Sequence, residues 1–226
     1  TPYGTLPTVT RDGYTFDGWF TTPDGDVKVD GSTTVTNPND HTLYAHWTGK
    51  NYIVYFDKHG GVGTADRKTV TFGSIYGQLP DGVTKTGYDF VGWFTTATDG
   101  KEVTSQTAVT VASDHTLHAH WVGKTYIVTF DPDGGTVTTS TKAAIFGTPY
   151  GELPIPTHTD SNKKFAGWYT QAGTLVTDIT TVATAADHTL KAHWTDVATY
   201  TVSYSGNGHT EGLEPADNNN YTSVAS

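Results

Sequence analysis

Over short stretches of this chain, apolar and polar residues alternate with the two-residue period of β-strands, and the same stretches return along the sequence. Tyr126, Val128 and Phe130 fall on one face of such a stretch, with Ile127 and Thr129 on the other. Leu43, Ala45 and Trp47 share a face, as do Leu117, Ala119 and Trp121, and again Leu190, Ala192 and Trp194. Phe16, Phe90 and Phe165 alternate towards Phe20, Phe94 and Tyr169, which predicts a further strand. A glycine stands directly before Trp19, Trp93 and Trp168, marking a bulge or a close backbone approach and leaving open which face each indole takes. Gly60-Gly61 and Asp133-Gly134-Gly135 read as hairpin turns. No stretch sustains a helical period. The segment 105–112 and its counterparts allow a short helical turn at most, because their β-branched residues oppose a longer one. The expected class is mainly β, α+β at most.

The recurrence has a fixed order and period, the signature of tandem units. Tyr3-Gly4-Thr5-Leu6-Pro7 returns as Tyr76-Gly77-Gln78-Leu79-Pro80 and as Tyr150-Gly151-Glu152-Leu153-Pro154. Asp40-His41-Thr42-Leu43 returns at 114–117 and 187–190. Trp19, Trp93 and Trp168 stand 74 and 75 residues apart. Tyr52-Ile53-Val54-Tyr55-Phe56-Asp57 sets the phase; it returns at 126–131 and more loosely at 200–204. The expected organisation is a partial repeat at 1–47 lacking its first strand, complete repeats at 52–121 and 126–194, and the start of a fourth at 200–226. Only 48–51, 122–125 and 195–199 link them. Links this short predict an extended rod.

Each unit of about 74 residues is marginal in size. The residues expected to hold the cores are Trp19, Trp47, Trp93, Trp121, Trp168 and Trp194, with Phe16, Phe90, Phe165, Leu43, Leu117 and Leu190. Burying one such indole contributes roughly 4–6 kcal/mol gross.

Composition narrows the partners. With 13 Lys and Arg against 23 Asp and Glu, the net charge is −10, so neither a phosphate backbone nor an anionic membrane is an expected partner. There is no Cys, which removes disulfides and thiolate metal sites. No apolar run approaches the roughly 18 residues of a membrane span. About a fifth of the residues are Thr, and Gly and Tyr are abundant, as suits half-exposed pleated surfaces and tight turns.

The motif order now carries a resemblance. Tyr-x-Val-x-Phe-Asp with Gly-Gly, then Tyr-Gly-x-Leu-Pro, then Gly87-Tyr88-Asp89-Phe90-Val91-Gly92-Trp93-Phe94, then Leu117-His118-Ala119-His120-Trp121 resembles the Listeria–Bacteroides repeat, also called the internalin B-type repeat. The resemblance implies a β-grasp-like fold, tandem arrangement on extracellular or cell-wall-anchored surface proteins, and no catalytic residues or cofactor to carry over. Two places depart from the pattern. The third unit has Asn162-Lys163 where Gly-Tyr stands elsewhere, and the fourth has Ser205-Gly206-Asn207-Gly208-His209 in place of Asp and Gly-Gly.

Candidate chemistry is sparse. His118 and His120 have the i, i+2 spacing of a chelating pair on one strand face, but Tyr44 and Lys191 replace His118 in the other copies. Surface or strand-edge histidine is the ordinary reading, and no metal is assigned. Asp131-Pro132-Asp133-Gly134-Gly135 resembles a calcium loop but lacks its later ligands and closing Glu. The nucleophile elbow, the phosphate-cradling loop and His-Glu-x-x-His are all missing, so no enzyme is expected. Asn220-Tyr221-Thr222 fits a glycosylation sequon.

The function these features predict is a non-catalytic stalk, spacer or filament shaft. Its expected partners are neighbouring repeats of the same or an identical chain. The alternative is an adhesin module, in which exposed Tyr44, Tyr55 and Tyr169 stack on surface glycans or proteins. Complementary ends leave two readings: either the sequence is a window on a longer continuous run of repeats, or, if the ends are natural, a strand bearing Tyr200, Val202 and Tyr204 completes the open first repeat of another copy.

Overall fold

The computed structural model describes residues 1–64, 66–205, 207, 208, 211, 213, 219, 221 and 222. The described residues are all-β, with no helix. The chain divides into two compact units, Thr1–Val122 and Gly123–Ser226.

The first unit opens with β1 (Tyr14–Phe20), β2 (Lys28–Val29) and β3 (Tyr44–Gly49), which form a three-stranded antiparallel sheet in the order β2-β1-β3. Lys50 alone separates β3 from β4 (Asn51–Asp57), which is followed by β5 (Arg67–Thr71), β6 (Tyr88–Phe94), β7 (Glu102–Val103) and β8 (His115–Gly123). These five make a mixed sheet in the order β5-β4-β8-β6-β7. β4 and β5 are the hairpin announced by Gly60-Gly61, and the opening strand β4 lies parallel to the closing strand β8. The Lys50 amide donates to the Gly13 carbonyl at 2.8 Å, and its own carbonyl accepts from the Phe72 amide at 2.9 Å. The Tyr14 and Phe72 rings meet edge to face beside this link, so the single connecting residue is held on both sides.

The second unit repeats the plan. β9 (Thr125–Asp131), β10 (Thr141–Ile145), β11 (Lys163–Tyr169), β12 (Leu175–Val176) and β13 (His188–Asp196) form a sheet in the order β10-β9-β13-β11-β12. β9 again runs parallel to β13. A separate pair, β14 (Thr199–Tyr200) with β15 (Tyr221–Thr222), follows.

In both five-stranded sheets one face carries the core, at the alternating positions that the sequence marks. Val54, Phe56, Leu117 and Ala119 are buried in the second repeat, and Val128, Phe130, Leu190 and Ala192 in the third. Trp93 and Trp168 are each 2 % exposed and lie at the centre of these clusters. Trp121, Phe90, Trp194 and Phe165 are partly buried and pack against them. In the first repeat Trp19, Trp47, Phe16 and Leu43 are all only half-buried, and Leu43 lies just outside β3. Among the described residues no strand runs along the side of β3 where β4 and β9 flank β8 and β13.

The bulge answers which way the indoles face. The pairing of β11 with β13 slips between Phe165 and Gly167, and that of β1 with β3 slips between Phe16 and Gly18. One extra residue changes the parity of the strand, so Phe165 and Trp168, three apart, share the inner face with centroids 5.5 Å apart. The slip corrects the expected alternation from Phe16 to Phe20 and from Phe165 to Tyr169, and the ring contacts of Phe90 with Trp93 and of Phe94 with His120 follow the same pattern. Phe20, Phe94 and Tyr169 turn to the outer face and meet His46, His120 and His193 at 4.3, 3.9 and 4.1 Å.

Two further expectations change. The short helical turn allowed at 105–112 is absent: a reverse turn at Thr104–Thr107 leads into extended backbone, where Ala108 bridges to Ile75. The β-branched Val109 lies fully buried there, packing that a helical turn would displace. The strand expected over 200–204 is present only at Thr199–Tyr200, which pairs with Thr222 and Tyr221; Val202 and Tyr204 are exposed and outside any strand. In the segment read as a fourth repeat, Gly206, His209 and Asn220 lie outside the described residues, as does most of 210–218.

Candidate functional site

The motifs that define the repeat are explained by hydrogen bonds within it. In Tyr-Gly-x-Leu-Pro, the proline carbonyl accepts from the indole of the Gly-Trp motif: Trp19 to Pro7 at 2.8 Å, Trp93 to Pro80 at 2.9 Å and Trp168 to Pro154 at 2.7 Å. The closing-strand indoles reach back to the first turn, Trp121 to the Lys58 carbonyl and Trp194 to the Pro132 carbonyl. The second glycine of each turn makes room for that ring. A Cβ on Gly61 would lie 2.4 Å from Trp121, and one on Gly135 would lie 2.6 Å from Trp194.

The Asp-His pair at the start of each closing strand is a tie that sequence reasoning missed. Asp114 accepts from the Ile53 amide and Asp187 from the Ile127 amide, both at 2.8 Å, joining opening and closing strands beyond their ladder. The neighbouring histidine clasps the tyrosine of Tyr-Gly-x-Leu-Pro: Tyr76 with His115 at 2.7 Å, Tyr150 with His188 at 2.6 Å and Tyr3 with His41 at 2.5 Å. Nδ1 of His115 faces the Ser113 carbonyl at 2.9 Å and must donate to it, so Nε2 accepts from the phenol. The signal that could have revealed the clasp is the joint return of Tyr-Gly and Asp-His in all three copies at nearly constant separation.

Burial pushes the Tyr76 and Tyr150 phenols above the ordinary tyrosine range. The fold therefore favours the neutral phenol. Its contribution is complete below the unfolded value of about 10 and is lost as pH rises through the higher native value. Tyr76→Phe is expected to lower stability by about 1 kcal/mol near neutral pH. That deficit should shrink above pH ~10–11, as read from urea midpoints of both proteins across the alkaline range.

The histidines of the outer strand face have separate roles. His120 stacks on Phe94 and lies 2.9 Å from the Thr96 carbonyl, whereas His118 faces Asp57 and His59. The i, i+2 pair is thus not a joint site. In the third repeat Lys191 takes the place of His118 and pairs with Asp133 at 2.9 Å. Hydrogen bonding to Asp133 and then its charge, with a smaller effect of Asp131, raise the lysine's pKa. The aspartates of the supposed calcium loop are thereby accounted for: Asp131 accepts from the Asp133 amide and Asp133 holds Lys191. Of the three tyrosines considered for stacking, Tyr44 and Tyr55 are 38 % and 42 % exposed. Tyr169 has one ring face covered by His193.

Tandem all-β repeats whose recurring side chains are engaged in holding each sheet together define a repeat-domain protein. The chain belongs to the Listeria-Bacteroides repeat domain family, whose model matches residues 1–46, 52–120 and 126–193. It is 33 % identical over 215 residues to a Gly-rich membrane protein of Evansella cellulosilytica, a match covering 88 % of this chain and 24 % of that protein. It is 36 % identical over 112 residues to internalin H of Listeria monocytogenes, covering 50 % of this chain and 20 % of internalin H. A second membrane protein of Evansella cellulosilytica is 31 % identical over 173 residues, covering 74 % of this chain and 24 % of that protein. The chain therefore spans about a quarter or less of these curated relatives. Among the described residues no helix is long and apolar enough to cross a membrane.

Proposed function

We propose that these repeats are a non-catalytic extracellular spacer, the stalk segment of a cell-surface protein, built from β-grasp-like units. The observation that carries this role is the parallel pairing of opening and closing strands. In the second repeat Val54 lies opposite His115 and Asp57 opposite His118. The chain enters at Asn51, before this overlap, and leaves at Gly123, beyond it. Entry and exit thus sit at opposite ends of one sheet, and each repeat advances the chain. At about 3.3 Å per residue, the path from Asn51 to Asp57 and on from His118 to Gly123 gives an advance of about 35 Å per repeat. The internalin and membrane-protein names of the relatives support a surface location.

Small-angle scattering on proteins with increasing numbers of repeats tests the role. The maximum dimension is expected to grow by equal steps of roughly 30–40 Å per repeat. A particle that grows in mass without growing in length would overturn it. Retention of the isolated repeats on a glycan array, lost on replacing Tyr44 and Tyr55, would instead favour the adhesin role.

A further inference from the structure

One corner of the second repeat carries a side-chain cluster found nowhere else among the described residues. Parallel pairing places Asp57 directly opposite His118, and the turn after β4 brings His59 to the same spot. His59 adopts a left-handed backbone conformation (φ 46°), and its amide donates to Asp57 Oδ1 at 2.9 Å. The Lys85 ammonium holds the His59 carbonyl from another side at 2.9 Å. Nε2 of His59 lies 2.9 Å from Nδ1 of His118, while Asp57 Oδ2 lies 3.6 Å from the first and 3.7 Å from the second. Both imidazoles are largely shielded from solvent, with side chains 34 % and 22 % exposed.

The third repeat shows what this corner accommodates. At the same register it has Asp131, Asp133 and Lys191, with Asp133 in the same left-handed conformation (φ 46°). Lys191 places a permanent cation against the acidic turn. In the second repeat the lysine is replaced by His118 and one aspartate by His59, which removes the built-in cation and leaves three lone-pair donors converging on one point.

We propose that Asp57, His59 and His118 form a binding site for a divalent transition-metal ion, represented by Zn²⁺. The nearest point equidistant from the three ligand atoms lies in their own plane, about 2.0 Å from each, so a tetrahedral ion at the usual Zn–N and Zn–O bond lengths requires the two imidazole nitrogens to part from 2.9 Å to about 3.3 Å. Two imidazole nitrogens and one carboxylate suit Zn²⁺ and its neighbours in the transition series, whereas Ca²⁺ and Mg²⁺ prefer an all-oxygen shell. With three protein ligands, a fourth position stays open for water or for a donor from another molecule. The bound ion cross-links the first turn to the closing strand, the connection made in the third repeat by the Lys191–Asp133 pair. A simple hydrogen bond between the two imidazoles is the competing account of the 2.9 Å approach.

Zn²⁺ titration of the whole chain by calorimetry, at neutral pH and in the presence of excess Mg²⁺, separates the two. One saturable site in the micromolar range is expected, with a rise in the thermal midpoint of the second repeat. The His59→Asp/His118→Lys double variant installs the third repeat's side chains. It is expected to keep the circular-dichroism spectrum of the parent and to lose that one equivalent. His120→Gln is expected to bind as the parent does. Absence of saturable binding by the parent overturns the site, as does an unchanged stoichiometry in the folded double variant. Equal binding of Ca²⁺ overturns the transition-metal assignment.

Discussion

Trp168→Ala is expected to unfold the third repeat while leaving the second intact. The indole is 2 % exposed at the middle of its cluster, between Phe165 and Phe130, with centroids 5.5 and 4.9 Å away. Truncation removes those contacts, leaves a cavity in a core of nine buried residues, and strips the Pro154 carbonyl of its donor. Losses of this kind cost about 3–5 kcal/mol, the same order as the whole stability of a domain this small. Native-state hydrogen exchange on the full chain gives a local measurement. Amides of β9 and β13 should lose their protection, and those of β4 and β8 should keep it. Retained protection in β9 would mean that the tryptophan is not the keystone of its sheet.

The second large effect is a contrast between equivalent leucines. Leu117→Ala is expected to cost about 2–5 kcal/mol, because Leu117 is 1 % exposed and lies directly opposite Phe56 of the opening strand. Leu43 holds the same place in the sequence repeat but is half-buried and has no strand beside it among the described residues. Leu43→Ala is expected to cost under about 1 kcal/mol. The midpoints of the two variants in urea decide the matter. Similar costs would show that the opening strand does little to close the core.

The strand pattern was legible in the sequence because most of the strands obey a two-residue period that a reader can count. Val128 and Phe130 point inward and Ile127 outward, as alternation requires. What alternation could not supply was the face of Trp168, since the slip between Phe165 and Gly167 changes parity at that point. The glycine flagged an irregularity without giving its direction. Residues 105–112 misled because a turn and a short helical segment share the same small polar residues, and only the pairing of Ala108 with Ile75 distinguishes them. The histidines were hardest to place. His115 is tied to a tyrosine 39 residues earlier, and His118 to Asp57 and His59 across a parallel ladder. Contacts so distant in sequence leave no local periodicity.

The parallel ladder between β4 and β8 also has a mechanical consequence. When a repeat is stretched by its ends, Asn51 is pulled one way and Gly123 the other, so the two strands are asked to slide past each other along their length. Under that load the bonds joining the residue pairs from Val54–His115 to Asp57–His118 must yield together instead of opening one by one from an end. The tie from Asp114 to the Ile53 amide lies across the same sliding interface and adds to its resistance. Each such repeat is thereby built to resist tension applied at its own two ends, Asn51 and Gly123.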